Sequence, residues 1–255
     1  MALAEFIIDT KRFSIETLKQ LTQTPHTLKL DNAVVDIVSK NRAFLERKLA
    51  EPNARYYGIN TGFGALCDVK ISNENIEQLQ ENLVMSHACG MGDEVKPEVA
   101  KLMLLLKIKG LSLGSSGVCV ETIQKLVDFY NADVIPLIWE VGSLGASGDL
   151  APLAHMSLPL LGMGEVRYKG ERMKTADALK QANIQSIKLH SKEGLALLNG
   201  TQFMSAWGSF SVMESERVEK LADLTAAISV DAFNAQTAPF HPASQEIRNH
   251  TGQME

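Results

Sequence analysis

The 255 residues carry a net charge of -5, with 45% apolar and 22% charged side chains, the balance of an ordinary globular protein. No Lys/Arg run offers nucleic acid an electrostatic footprint, and no apolar stretch approaches bilayer length, since even residues 102–106 run into Lys107. The opening Met1-Ala-Leu-Ala-Glu-Phe-Ile-Ile-Asp9 lacks a basic segment followed by an apolar core, and Cys67, Cys89 and Cys119 are too scattered for a disulfide framework or zinc site, so a soluble cytoplasmic protein is expected.

Along the chain, Phe6 to Ile8 reads as a short strand. Val35, Val38, Leu45 and Leu49 then share one helical face, with the stem of Arg42 in the missing place. Ile76, Leu79 and Leu83 form a second stripe. Pro97-Glu98 opens a third helix at the favoured first-turn position. Ile123, Leu126, Val127 and Tyr130 mark an amphipathic helix. Val166 to Tyr168 reads as a strand before a turn at Lys169-Gly170, and a long helix runs from about residue 203 to 230 with Leu221, Leu224 and Ile228 as its stripe. The class is mainly α with few short strands.

Glycine-rich passages interrupt these elements, and loops on a helical scaffold are where function concentrates. Gly142, Gly145 and Gly148 are spaced G-x-x-G-x-x-G, which is not the dinucleotide fingerprint, and no P-loop is present. A nucleophile elbow around Ser147 would need glycine at 149, where Asp149 stands. His87, His155, His190 and His241 show no metal-binding spacing, so no metal is expected. His155 falls on an apolar face and reads as a satisfied core histidine.

The block Gly145-Ala-Ser-Gly-Asp-Leu-Ala-Pro-Leu-Ala-His155 resembles the signature of the aromatic amino acid lyases that carry a 4-methylideneimidazol-5-one (MIO) group. Alone it also reads as a glycine-rich turn before a helix. Three further blocks stand in the order of that family: Tyr57-Gly-Ile-Asn-Thr-Gly-Phe-Gly64, Ser86-His-Ala88 and Leu195-Ala-Leu-Leu-Asn-Gly-Thr-Gln202. Together they resemble the N-terminal half of the histidine ammonia-lyases.

The resemblance implies a domain over residues 1–200 holding the MIO loop, and over 201–255 the start of a long antiparallel helical bundle, cut short. It implies that Ala146-Ser147-Gly148 cyclises with loss of two waters. Glycine at 148 fits that chemistry, because its amide nitrogen must reach a carbonyl that planar, extended peptides keep away. Ser147 supplies the hydroxyl that leaves to give an exocyclic methylene. A helix beginning at Asp149-Leu150 would aim its N-terminal dipole at the ring. The methylene engages the substrate amine, a base removes a β-proton, and ammonia departs; from L-histidine the product is trans-urocanate.

Tyr57 matches the family's base, although an ordinary tyrosine is ionised in only about one molecule in a thousand at pH 7 and needs positive potential around it. Ser86 and His87 match the contacts to the substrate side chain. Asn199 matches a donor to developing negative charge, with Gln202 beside it. Family members are about twice as long; the other half supplies a carboxylate-binding arginine and further polar side chains, and the active sites are shared in a homotetramer. The partner implied is a small-molecule amino acid, with neither nucleic acid nor membrane, and the 255 residues alone are expected to be inactive. A tyrosine ammonia-lyase or aminomutase of the same family, and a helical scaffold that keeps the motif without activity, stay open as alternatives.

Overall fold

The computed structural model describes residues 3–51, 55–64, 67–248, 250 and 252. They divide into two compact units, one reaching Ser209 and one starting at Phe210.

The first unit opens with β1 (Ala4–Ile8), α1 (Ile15–Gln23) and β2 (His26–Leu30), a small crossover in which the two strands pair in parallel. Ser14 caps α1 by accepting the Thr17 amide at 3.2 Å, a residue type and position that satisfy an otherwise orphaned N–H. Asp31 does the same for α2 (Asn32–Leu49), accepting from Ala33 at 2.7 Å. Next come α3 (Ile76–His87), β3 (Met91–Glu94), α4 (Pro97–Leu111) and α5 (Val120–Asn131). α4 is mostly apolar and buried nearly all round from Val99 through Leu111, with the ammonium groups of Lys107 and Lys109 taken up by backbone carbonyls, as a helix at the centre of a core requires. α5 packs its apolar face on α4 and holds β2, with the Asn131 side chain bonding both the amide and the carbonyl of Leu28.

β4 (Val134–Pro136) and β5 (Trp139–Val141) follow, then α6 (Ala151–Ser157), β6 (Glu165–Tyr168), β7 (Glu171–Lys174), α7 (Thr175–Ala182) and α8 (Glu193–Leu198). β4, β6 and β7 make an antiparallel sheet, while β3 pairs with β5. The β6–β7 hairpin turns through Lys169 and Gly170 at φ +51 and +87, the mirror-image turn that matches strand twist. α9 (Gln202–Ala232) is a 31-residue helix whose first turns belong to this unit. The second unit holds the rest of α9 and α10 (Pro242–Glu246).

The mainly helical class with few short strands is what the chain adopts, and the long final helix lies within two residues of its expected bounds. The differences are local. On α2 the buried positions are Val34, Val38 and Leu45, with Val35 half-buried. Arg42 does more than fill a stripe with its stem: Nη1 donates to the carbonyls of Gly117 and Ser191 at 3.0 and 2.9 Å. On α3 the buried face includes Gln80, whose Oε1 accepts the Gly194 amide at 3.0 Å. No helix among the described residues is long and apolar enough to cross a membrane.

Candidate active site

The tripeptide Ala146-Ser147-Gly148 lies in the loop from β5 to α6, with Ala146 and Ser147 exposed to solvent. Gly148 has φ +100, and a Cβ placed on it would lie 2.6 Å from the Gly200 nitrogen and 2.7 Å from its oxygen. Two backbones therefore touch where any side chain would separate them. The next peptide closes the contact, the Asp149 amide donating to the Gly200 carbonyl at 2.8 Å. Ser147 Oγ donates to Asn199 Oδ1 at 3.0 Å. Leu150, not a glycine, sits at φ +22 and ψ -79 before α6, a sparsely populated geometry that neighbouring contacts must hold in place.

α6 begins at Ala151, two residues later than the sequence suggests, and Asp149 serves a different helix. Its carboxylate is 1% exposed. Oδ2 accepts the amides of Phe203 and Met204 at 2.8 and 3.2 Å, capping α9 from outside, and Oδ1 accepts Ser143 Oγ–H at 3.2 Å.

The segment facing the tripeptide is itself pinned. Asn199 donates its amide and Nδ2 to the Leu195 carbonyl at 3.0 and 3.1 Å, which leaves Oδ1 for Ser147. Below it, Lys107 of α4 donates to the Ala196 carbonyl at 2.8 Å. Burial pulls the Lys107 ammonium down to about 7, and the charge of Asp149 opposes that pull. Glu193, fully buried at the start of α8, accepts from the Cys119 and His190 amides and the Thr122 hydroxyl. Gln202 turns inward over Gly200 towards Gly110, its Oε1 buried and without a hydrogen bond among the described residues.

Ser86 and His87 end α3. His87 Nδ1 lies 2.9 Å from the Leu83 carbonyl, a contact that requires Nδ1–H. A neutral ring then presents Nε2 as an acceptor, and Nε2 makes no hydrogen bond among the described residues. Ser86 Oγ donates to the same carbonyl at 3.1 Å. Three residues on, the Gly90 amide donates to His155 Nε2 at 2.9 Å. His155 is half-buried, and burial lowers its pKa.

Tyr57 is 57% exposed, its hydroxyl accepting the Gly64 amide at 3.5 Å and its ring edge-on to Phe63 at 5.8 Å. A Cβ on Gly58 would meet Phe63 and then Leu195 at 3.2 Å, so this loop rests on the start of the Leu195–Gln202 block. Among the described residues, Tyr57 makes no hydrogen bond to the tripeptide, to His87 or to Asn199.

Two of the four sequence blocks, Gly145–His155 and Leu195–Gln202, are thus tied to each other by hydrogen bonds; Gly90, two residues past the Ser86–Ala88 block, bonds His155, and the Tyr57 loop packs on Leu195. In sequence, Asp149 reads only as a helix start, His155 as a core histidine and Lys107 as the end of an apolar run, and a cation inside such a run is the only signal Lys107 gives. The described residues contain no cluster of His, Cys, Asp or Glu fit for a metal, and the three cysteines are free thiols.

Residues 13–255 match the family model described as aromatic amino acid lyase. A histidine ammonia-lyase from Caldanaerobacter subterraneus is 41% identical over 252 residues, covering 99% of this chain and 49% of that protein. The crystal structure of histidine ammonia-lyase from Trypanosoma cruzi superposes with a TM-score of 0.89 at 34% identity, covering 98% of this chain and 48% of that one. A phenylalanine aminomutase from Pantoea agglomerans gives the same TM-score of 0.89 at 31% identity, with coverages of 98% and 48%. The chain thus spans about half the length of the relatives it matches, and over that half it belongs to the aromatic amino acid lyase family.

Proposed function

We propose that this chain serves the elimination of ammonia from L-histidine to give trans-urocanate, with Ala146-Ser147-Gly148 as the source of an MIO group. The observation that carries the reading is the contact of two distant blocks at the tripeptide: Ser147 Oγ on Asn199 Oδ1 at 3.0 Å and the Asp149 amide on the Gly200 carbonyl at 2.8 Å. The residues fit the group. Gly148 at φ +100 against Gly200 leaves room for no side chain on the ring-forming nitrogen's residue, and the Ser147 hydroxyl, the leaving group, is already oriented by a polar partner. Once formed, the group supplies an electrophilic carbon for the substrate amine.

The chain's own residues do the rest. Ser86 and His87 meet the substrate side chain, and His87 offers its Nε2 lone pair to an imidazole N–H, a pairing that a phenyl ring cannot return. Asn199 orients the tripeptide and offers its amide to negative charge, and Gln202, turned inward in this structure, would have to swing outward to join it. Tyr57 is the base for the β-proton. Because Tyr57 and the tripeptide are both open to solvent, other polypeptide must close the site, in keeping with a homo-oligomer, a tetramer in the full-length enzyme. The proposed setting is the cytoplasm.

Intact mass tests the chemistry. The wild-type chain is expected to be lighter than its sequence by two waters, and Ser147→Ala to keep its full mass. Full mass in both would remove the tripeptide from the reaction. An aminomutase shares this backbone, so the full-length enzyme is given histidine, tyrosine and phenylalanine in turn. Urocanate from histidine alone supports the reading, and a β-amino acid would replace it.

A further inference from the structure

α6 starts three residues after the tripeptide, and His155 is its fifth residue. The Gly90 amide that His155 receives belongs to the short link between α3, which ends at His87, and β3. That link is tightly turned, with the Cys89 amide on the His87 carbonyl at 2.9 Å. It is also gripped. A Cβ on Gly90 would come within 3.1 Å of the His155 ring and of Trp139 Cβ, and one on Gly142 within 3.2 Å of Gly90 Cα. Beyond the link, β3 pairs with β5, the strand that feeds the tripeptide loop. The side-chain contacts and the tripeptide loop are therefore joined on one side by a strand pair and on the other by one imidazole.

We propose that His155 is a positioning residue: its unprotonated Nε2 accepts the Gly90 N–H and so fixes Ser86 and His87 against the loop that carries Ala146-Ser147-Gly148. The inference rests on the reading of Ser86 and His87 as substrate contacts. The bond requires the neutral ring with its proton on Nδ1, because a protonated imidazole has two donors and no acceptor. The half-buried ring resists protonation, so the bond survives at neutral pH and is lost in acid. The charged and titratable groups on the elements packed against α6 are Glu77, Glu81 and His87 on α3, Glu193 on α8 and Glu140 on β5. Arg172 lies over Trp139, its guanidinium carbon 5.7 Å from the ring centre. The link and β3 carry Cys89, Asp93 and Glu94, the last paired with Arg167.

The test is an NMR measurement on the 15N-labelled chain. The Gly90 amide should be protected from exchange at neutral pH, and its resonance should shift with the same midpoint as the His155 ring, carrying Ser86 and His87 with it. His155→Leu should exchange Gly90 about tenfold faster, the loss expected for one hydrogen bond, and move Ser86 and His87 while β1 and β2 stay put. His155→Gln, whose amide oxygen accepts at any pH, should restore protection and abolish the titration. An unprotected wild-type Gly90, a titration of His155 that Ser86 and His87 ignore, or a leucine variant that leaves both unchanged would overturn the proposal. If His155→Leu fails to fold, the wild-type titration decides alone. The two-water mass loss is read on the same samples, so absent cyclisation with intact Gly90–His155 coupling counts against the chemistry and not against the positioning.

Discussion

Asp149 and Phe203 are separated by 54 residues and joined by a 2.8 Å hydrogen bond in which a buried carboxylate accepts the first-turn amide of α9. The same carboxylate receives Met204 and Ser143. The residue following the tripeptide is thus the cap of the longest helix in the chain, and the loop and that helix depend on each other.

Asp149→Ala should cost about 3 kcal/mol, since it removes a cap and leaves the buried Lys107 without its opposing charge. Urea denaturation followed by circular dichroism measures the loss. A change of under half that size would show that water replaces the carboxylate without penalty.

Lys107 gives a pH dependence of definite sign. Burial lowers it from 10.5 to about 7, so above pH 7 the folded chain has lost a proton that the unfolded chain still binds. Stability should rise with pH through that window. Cys119 and Tyr130 act oppositely, since burial raises both to about 12 and the unfolded chain loses those protons first, from about pH 9. The rise is therefore sought between pH 7 and 9, in urea midpoints. Lys107→Met should flatten it.

The contact of Gly148 with Gly200 predicts that Gly148→Ala abolishes the two-water loss and destabilises the chain by about 2 kcal/mol, from backbone overlap and a positive φ. Asn199→Ala should act differently. It removes the acceptor for Ser147 but no buried contact of that size, so mass loss should slow by about tenfold while the urea midpoint falls little. Time-resolved intact mass after refolding separates the two, and equal rates in wild type and Asn199→Ala would count against the Ser147–Asn199 bond as an orienting device.

How much of this was legible in the sequence depended on the kind of bond. Helical stripes such as Ile123, Leu126, Val127 and Tyr130 announce themselves, because periodicity records a buried face. β3, Met91-Gly-Asp-Glu94, has no alternation to read, since neither of its faces joins the apolar core. Arg42 and Asp149 escaped for another reason. Most of their partners across the fold are backbone groups, and an amide or a carbonyl carries no residue-type signature. The four family blocks marked which loops to inspect, but not that Gln202 turns inward or that Asp149 caps α9 rather than opening α6.

Arg42 makes that difference measurable. Its side chain is 12% exposed and its guanidinium bonds two carbonyls, the Ser191 hydroxyl and the Glu46 carboxylate. Arg42→Met should destabilise by about 2 kcal/mol, and Arg42→Lys should recover little, because one ammonium cannot reach all four acceptors at once. Full recovery by lysine would reduce the arginine to a stem.

The bonds from Asp149 to Gly200, Phe203 and Met204 also set a clock. During synthesis the tripeptide emerges long before the segment it is pressed against. Until residue 204 has left the ribosome, the loop has no opposing backbone and Asp149 has no helix to cap. The dehydration proposed for Ala146-Ser147-Gly148 would therefore be deferred until the surrounding unit has folded, and that irreversible covalent step would become a record that the fold was reached.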